Sequence, residues 1–282
     1  MKIGLVLSGG MAKGAYQIGV LKAISRFLKP DDFSVLSCAS VGALNGYVFM
    51  TRQLDAAEQM WRDMCSEGTR SYINSILRST YLQNSISRVC SSAAKIEKPF
   101  YIPLLDYKER TLVYRDMMKT ASDIYPDYLR ASVAMPLYNK PVVIGNQSFF
   151  DGAMIDNIPV FPLINHEPDI VICNHFDNYF YTFENSCFDK KVIPLIYQTR
   201  SVRESFLFSR NAIDTMIQSG FQQTYEKLYP IFSDMNRCED QIYQQICCLR
   251  SSDGKKKLRL TGDMVTTNLN KITRRLTRLS IE

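Results

Sequence analysis

The stretch KIGLVLSGGMAKGAYQIGVLKAI, residues Lys2 to Ile24, carries the start of a supersecondary unit. Its apolar run of Ile, Leu and Val predicts a buried strand, which the segment GGMAKG interrupts. From Ala15 to Phe27, apolar residues recur at helical spacing. The next apolar run, FSVLSCA, predicts a second strand. Strand, helix and strand together form a βαβ unit, whose two parallel strands end at the same edge of the sheet.

The rest of the chain adds elements of the same kinds. Apolar residues at intervals of three and four predict a helical insert over residues 53–94. Further strands are expected at TLVYRD, in a hairpin VVIGNQSFF about Gly145 and Asn146, and at DIVICNH and KVIPLIYQ; further helices are expected at Tyr128 to Ala134 and Arg203 to Lys227. This order predicts an α/β fold with three layers, α/β/α, around a mainly parallel central sheet.

Length and composition predict one main domain over residues 1–250. The chain has 282 residues, of which 46% are hydrophobic, and no apolar run long enough to cross a membrane or to act as a secretory signal. We therefore expect a cytoplasmic protein. Eight cysteines lack paired spacing and only two histidines are present, so a metal site is not expected, and nothing calls for a cofactor.

The charge is concentrated at the end of the chain. Residues 251–282 hold eight basic and three acidic residues, so five of the six net positive charges lie there, which argues against binding of nucleic acid by the body of the protein. Val265, Leu269, Ile272, Leu276 and Leu279 are spaced four, three, four and three residues apart. The segment predicts a basic amphipathic helix that packs on the domain, faces an anionic membrane peripherally or binds a partner helix.

The candidate chemistry lies where the first two strands end. Ser40 follows the second strand at a tight turn, and Gly42 allows the next helix to come close. The loop from Gly9 to Gly14 brings main-chain N–H groups to the same edge, where they suit a developing oxyanion. Other interpretations remain open. Ser40 could be a helix N-cap, and the glycines could form a plain turn or a dinucleotide fingerprint. Met11 weakens the fingerprint by replacing a glycine, although Asp31 and Asp32 lie near the expected distance.

A serine hydroxyl needs a proton acceptor before it becomes a good nucleophile. One candidate arrangement is a triad of Ser40, Asp151 and His175, and the other is Asp151 acting directly. Asp151 opens a D-G turn, so a role as a plain turn former is also open. Aspartate is a weak base in water, and burial would raise its basicity.

Four stretches in sequence resemble the patatin-like phospholipases. They are GLVLSGGMAKGAYQIGVLKAI, ASVGALNG, ASVAMPLYNKPVVIGNQSFFDGA and DNIPV, which look like that family's glycine loop, nucleophile elbow, segment before the aspartate, and aspartate turn. The resemblance covers about the first 160 residues. It implies an acyl hydrolase that cleaves lipid acyl esters through a Ser-Asp dyad and an acyl-enzyme, with no metal or nucleotide.

The resemblance also implies roles for single residues. Ser40 is the nucleophile and Asp151 the proton acceptor; the oxyanion donors are Gly9, Gly10 and Met11, with Lys13, Gly14, Gly42, Gly152 and Asn157 in support. For Lys13, a solvated surface charge is the other interpretation. Cys38 and Met11 stand where the family usually has glycine. These departures support an alternative, a catalytically weak or silent member that binds lipid or a protein partner.

Overall fold

A computed structural model of the chain describes residues 1–64, 80–91, 94–136, 138–176, 180–183, 186–197, 209–234, 239–252 and 257–260. The strands are β1 (Ile3–Leu7), β2 (Phe33–Cys38), β3 (Phe100–Asp106), β4 (Thr111–Asp116), β5 (Val142–Ile144), β6 (Gln147–Asp151), β7 (Ile170–His175), β8 (Phe180–Phe183), β9 (Val192–Ile196) and β10 (Lys257–Leu260). The α-helices are α1 (Gly14–Ile24), α2 (Val41–Met50), α3 (Leu54–Asp63), α4 (Thr80–Cys90), α5 (Tyr125–Ser132), α6 (Phe161–Ile164), α7 (Ser186–Asp189), α8 (Arg210–Phe232) and α9 (Glu239–Ser252).

Eight of these strands form one sheet in the order β5-β6-β3-β2-β1-β7-β9, with β4 paired to β3. The pairs in the middle and at the β9 end are parallel, and β4, β5 and β6 pair antiparallel. β8 and β10 pair separately. Alternate residues of the central strands face opposite sides, so the sheet separates two cores.

The two faces of the sheet are covered unequally. Leu5 and Leu7 of β1 belong to the large core, to which α1, α2, α3 and α8 contribute buried residues. Val6, between them, belongs to a smaller core with Leu163 of α6 and Phe188 of α7. The protein therefore has the three-layer α/β architecture with a mainly parallel sheet that the sequence predicts.

Strand β3 brings distant parts of the chain together. β4 occupies one edge of β3 from Tyr101 to Asp106. On the other edge, β2 runs parallel to β3 as far as Tyr101, and β6 runs antiparallel to it from Asp106 down to Leu104. The carboxyl ends of β2 and β6 therefore approach each other head to head near Pro103. This meeting point is where the candidate site forms.

The predicted strands and hairpin are present, whereas helix boundaries differ. The helix expected at Tyr128 to Ala134 begins three residues earlier, at Tyr125, because Pro126 suits a first turn. The helix expected from Arg203 is described from Arg210 and continues to Phe232, past Pro230.

Within residues 53–94, α3 and α4 are described and residues 65–79 lie outside the described ranges. Residues 261–282, where the amphipathic pattern falls, also lie outside them. No helix in the described ranges is both long and apolar enough to span a bilayer.

Candidate active site

Ser40 sits at a strained turn between β2 and α2. Its φ of 55° and ψ of −130° lie in a region that residues other than glycine seldom adopt. Close packing imposes this turn: Ala39 N–H donates to the carbonyl of Leu7 at 2.9 Å, and a Cβ on Gly42 would lie only 2.7 Å from the same oxygen. Helix α2 is thus held against the end of β1. Strain of this kind is maintained at functional sites when the surrounding structure determines it.

Asp151 is the last residue of β6 and is 3% exposed. Its N–H donates to the carbonyl of Ala134, and its carboxylate accepts a hydrogen bond of 2.9 Å from Ala153 N–H. The following residue lies against β3, because a Cβ on Gly152 would be 2.5 Å from the carbonyl carbon of Pro103. Glycine at this position therefore lets the aspartate turn reach the end of β2.

The two side chains meet. The side chain of Ser40, which is 8% exposed, lines the same cavity as Asp151 and helps to lower the pKa of its carboxylate through hydrogen bonding. Burial raises the pKa of Asp151 to about 7, although the hydrogen bonds from Ser40 and Ala153 lower it in part. A buried carboxylate with a pKa near neutrality beside a serine hydroxyl has a basicity that suits a general base.

Main-chain amides converge beside this pair. In the described part of the chain, the N–H groups of Gly10 and Met11 have no acceptor, and both residues line the same cavity as Ser40. Helices α1 and α2 both begin here, so the positive ends of their dipoles favour negative charge. The arrangement is suited to an oxyanion, with Gly10 and Met11 as donors.

The main-chain groups of Gly9, which the resemblance implies to be an oxyanion donor, are bonded to a side chain of the aspartate turn. Its N–H donates to Asn157 Oδ1 at 3.0 Å, and its carbonyl accepts from Asn157 Nδ2 at 3.3 Å. Because that amide hydrogen already has an acceptor, the contacts of Gly9 support the loop. Asn157 thereby joins the aspartate turn to the glycine loop, the structural support expected of it.

The two substitutions at glycine positions are accommodated differently. The backbone of Met11 has a φ of 54°, in the left-handed region that disfavours any side chain, at a cost of order 1 kcal/mol. Cys38 is fully buried, and a Cβ on Gly46 would lie 2.8 Å from its sulfur, so the missing side chain of Gly46 leaves room for the thiol. Burial raises the pKa of the Cys38 thiol, which makes it unreactive.

Lys13 is not a solvated charge. It is 9% exposed, its Nζ donates to the carbonyl of Phe176 at 3.4 Å, and it lies 5.2 Å from the centre of the Phe176 ring. Gly14, the next residue, packs against the ring of Trp61. Lys13 thus anchors the loop to the chain that follows β7.

The cavity at this site has a volume of about 290 Å³. Its lining includes Ser40, Asp151 and three methionines, Met11, Met135 and Met154. Met135 and Met154 could not be predicted as lining residues, because isolated methionines form no sequence pattern. Methionine is flexible and apolar, so these walls can adapt to an apolar chain.

Neither histidine lines the cavity. His166 Nε2 lies 2.9 Å from the hydroxyl of Tyr101, and His175 is the last residue of β7. The geometry therefore favours the direct pair of Ser40 and Asp151 over a triad that includes His175.

Comparison with protein families finds a match to the model described as patatin-like phospholipase, over residues 5–164. This is more than half of the chain and includes Ser40, Asp151 and the glycine loop. The chain belongs to the patatin-like phospholipase family. The resemblance of the four sequence stretches is thereby confirmed, and the site lies in the shared region of this patatin-like protein.

Curated relatives share the same region. The patatin-like protein is 28% identical over 167 residues to patatin-like phospholipase domain-containing protein 7 of Mus musculus, covering 56% of this chain and 12% of the relative. It is 28% identical over 170 residues to lysophospholipase NTE1 of Cryptococcus neoformans, covering 57% of this chain and 10% of the relative. The match spans about a tenth of each relative. Among solved structures, VipD from Legionella pneumophila matches with a TM-score of 0.45 and 12% identity, covering 89% of this chain and 74% of that one.

Proposed function

We propose that this patatin-like protein is a serine acyl hydrolase that cleaves lipid acyl esters. The observation that supports this most directly is that the buried Asp151 lines the same cavity as Ser40, where burial raises its pKa to about 7 and makes it a usable base. The amides of Gly10 and Met11 lie in the same cavity. The methionine walls suit an acyl chain, and the relatives bear the names phospholipase and lysophospholipase.

In the proposed mechanism, Asp151 takes the proton of Ser40 while the serine oxygen attacks the ester carbonyl. The N–H groups of Gly10 and Met11 hold the negative charge of the tetrahedral intermediate. The alcohol then leaves with the proton from Asp151, which gives an acyl-enzyme. In deacylation, Asp151 accepts a proton from water while the water oxygen attacks the acyl carbonyl. The bond between the acyl group and Ser40 then breaks, the proton returns from Asp151 to the serine oxygen, and the fatty acid is released.

The test is labelling by a fluorophosphonate probe together with hydrolysis of a panel of p-nitrophenyl esters of increasing chain length. Wild-type protein should label and hydrolyse, whereas Ser40→Ala and Asp151→Asn should do neither. Ser87→Ala, at an exposed serine of α4, is the matched control. If His175→Ala is as damaging as Asp151→Asn, the triad replaces the direct pair; if wild type neither labels nor hydrolyses, the proposed function is wrong.

A silent lipid-binding member is the second candidate, favoured by the strained φ of Met11 at a donor position. This candidate predicts saturable binding of phospholipid vesicles without labelling of Ser40. The two outcomes separate the candidates in a single preparation.

Membrane contact through residues 251–282 completes the proposal. Their basic residues would bind anionic lipid, so the full chain should sediment with phosphatidylserine vesicles at low salt and less at high salt. Arg274→Gln with Arg275→Gln should weaken this binding. Unchanged sedimentation would remove the tail from the proposal.

A further inference from the structure

Three buried side chains form a chain of hydrogen bonds behind the glycine loop. Trp61 Nε1 donates to Asn45 Oδ1 at 3.2 Å, Asn45 Nδ2 donates to Gln17 Oε1 at 3.0 Å, and Gln17 Nε2 donates to the carbonyl of Ser8 at 2.8 Å. Asn45 Nδ2 also donates to the carbonyl of Gly14 at 2.9 Å. None of the three side chains lines the cavity. Gln17 and Asn45 are fully buried and Trp61 is 2% exposed.

The direction of this chain is set by Trp61. An indole N–H can only donate, so it requires the oxygen of the Asn45 amide to face it. The nitrogen of Asn45 must then face Gln17 and Gly14, and the oxygen of Gln17 must face Asn45. The nitrogen of Gln17 is thereby left to donate to Ser8. One donor on α3 thus determines the orientation of two amides on α2 and α1.

The two carbonyls that receive these bonds flank the oxyanion loop. Ser8 precedes it and Gly14 follows it. The peptide between Ser8 and Gly9 is hydrogen-bonded at both of its polar groups. Its carbonyl accepts from Gln17, and its N–H donates to Asn157. A trans peptide is planar with these two groups on opposite sides, so the two contacts fix its plane. The orientation of the next peptide, which carries the N–H of Gly10, depends on that plane.

The same amides join the loop to the nucleophile. Asn45 lies on α2, which begins directly after Ser40, and it bonds both to Gly14 and to Gln17 of α1. The serine and the donors are therefore held in one frame by hydrogen bonds with defined directions. Apolar side chains could fill this space but would impose no direction on the loop carbonyls.

We propose that Gln17, Asn45 and Trp61 are positioning residues that aim the N–H groups of Gly10 and Met11 at the oxyanion. This inference rests on the proposed acyl-hydrolase function. Loss of one donor to an oxyanion lowers kcat by about a hundredfold to a thousandfold, so misalignment of the loop should have a smaller effect of the same kind. KM should change little, because the donors act mainly in the transition state.

Gln17→Met tests this directly, because methionine keeps the length of the side chain and removes its donor and acceptor. With p-nitrophenyl butyrate, we expect kcat to fall at least about tenfold and KM to stay within about twofold. Trp61→Phe, which keeps an aromatic ring and removes the donor, should shift the same parameter in the same direction. Ile24→Val is the control for lost stability, since Ile24 is fully buried at the other end of α1.

Gln17→Glu separates positioning from stability. A protonated glutamic acid can donate to Ser8 and accept from Asn45, whereas the carboxylate cannot donate. We expect the kcat of Gln17→Glu relative to wild type to rise as the pH falls, and that of Gln17→Met to stay flat. All rates are measured well below the midpoint of thermal unfolding, so that every variant is folded.

The possible results are distinct. A fall in kcat with an unchanged KM for Gln17→Met and Trp61→Phe, and partial recovery of Gln17→Glu at low pH, supports the positioning role. If Gln17→Met and Trp61→Phe have lower thermal midpoints but wild-type kcat, as we expect for the control Ile24→Val, the positioning role is overturned and the proposed function stays intact. If the wild-type protein shows no hydrolysis that is lost in Ser40→Ala, both the positioning role and the proposed function are overturned.

Discussion

The burial of Asp151 predicts that stability depends on pH in a definite direction. Its pKa rises from 3.8 to about 7 because the folded protein disfavours the charged form. At about 1.4 kcal/mol for each pKa unit, this rise corresponds to a contribution of roughly 4 kcal/mol to the free energy of unfolding when Asp151 is protonated in both states. Because the folded pKa lies above the unfolded one, this stability is present below about pH 4. It is lost as the pH rises through about 7.

Asp151→Asn isolates this contribution, since asparagine keeps the shape and carries no charge. We expect the free energy of unfolding of the variant, minus that of wild type, to grow by roughly 1.4 kcal/mol per pH unit from pH 5 to about 7 and then to level off. The measurement is urea unfolding at several pH values. Subtracting the wild-type free energy of unfolding from that of the variant cancels the contribution of the other titrating groups.

Asp123→Asn, at an exposed aspartate, is the matched control for loss of a carboxylate. A stability difference for Asp151→Asn that is flat between pH 5 and 8 would refute the reasoning. It would mean that the Asp151 carboxylate is solvated in the folded protein, and the basis for its role as a proton acceptor would be lost.

Other predictions follow from the same contacts. The value of kcat/KM should rise about tenfold per pH unit up to about pH 7, because only the carboxylate form of Asp151 accepts the proton. A pH profile of initial rates that instead levels off above about pH 4 would contradict this. Met11→Gly should be at least as stable as Met11→Ala in thermal unfolding, reversing the usual preference of roughly 0.5 to 1 kcal/mol for alanine, because φ is 54°. Gly42→Ala should lose about 1 to 3 kcal/mol or more in urea unfolding, since its Cβ would meet Leu7 O; a wild-type midpoint would count against the close packing. Asn157→Ala should lower kcat on the p-nitrophenyl esters, because the peptide of Gly9 is no longer held.

Local patterns were sufficient for the first half of the site. The segment from β1 through α1 to β2 was predicted from apolar spacing, and parallel crossover geometry placed the glycine loop beside Ser40. In the structure a Cβ on Gly9 would lie 2.7 Å from the Cβ of Ser40. These relations are encoded within about forty residues of chain, so they could be predicted without knowledge of the rest.

The approach of Asp151 to Ser40 could not be derived in that way. It depends on β3, which apolar patterning did not reveal because Pro103 interrupts the strand pattern. Proline is tolerated here because β2 and β6 both end beside it. The family resemblance implied the pairing, whereas the topology supplies its physical cause.

The contacts that orient the loop were also beyond the reach of sequence patterns. The bond between Gly9 and Asn157 joins residues 148 positions apart, and it decides which amides remain for an oxyanion. The burial of Lys13 and the orientation of Gln17 by Trp61 depend on which side chains pack behind the loop. Periodicity reports which face of an element is apolar. It carries no information about which distant donor meets which carbonyl, because the packing of the whole chain sets those partners.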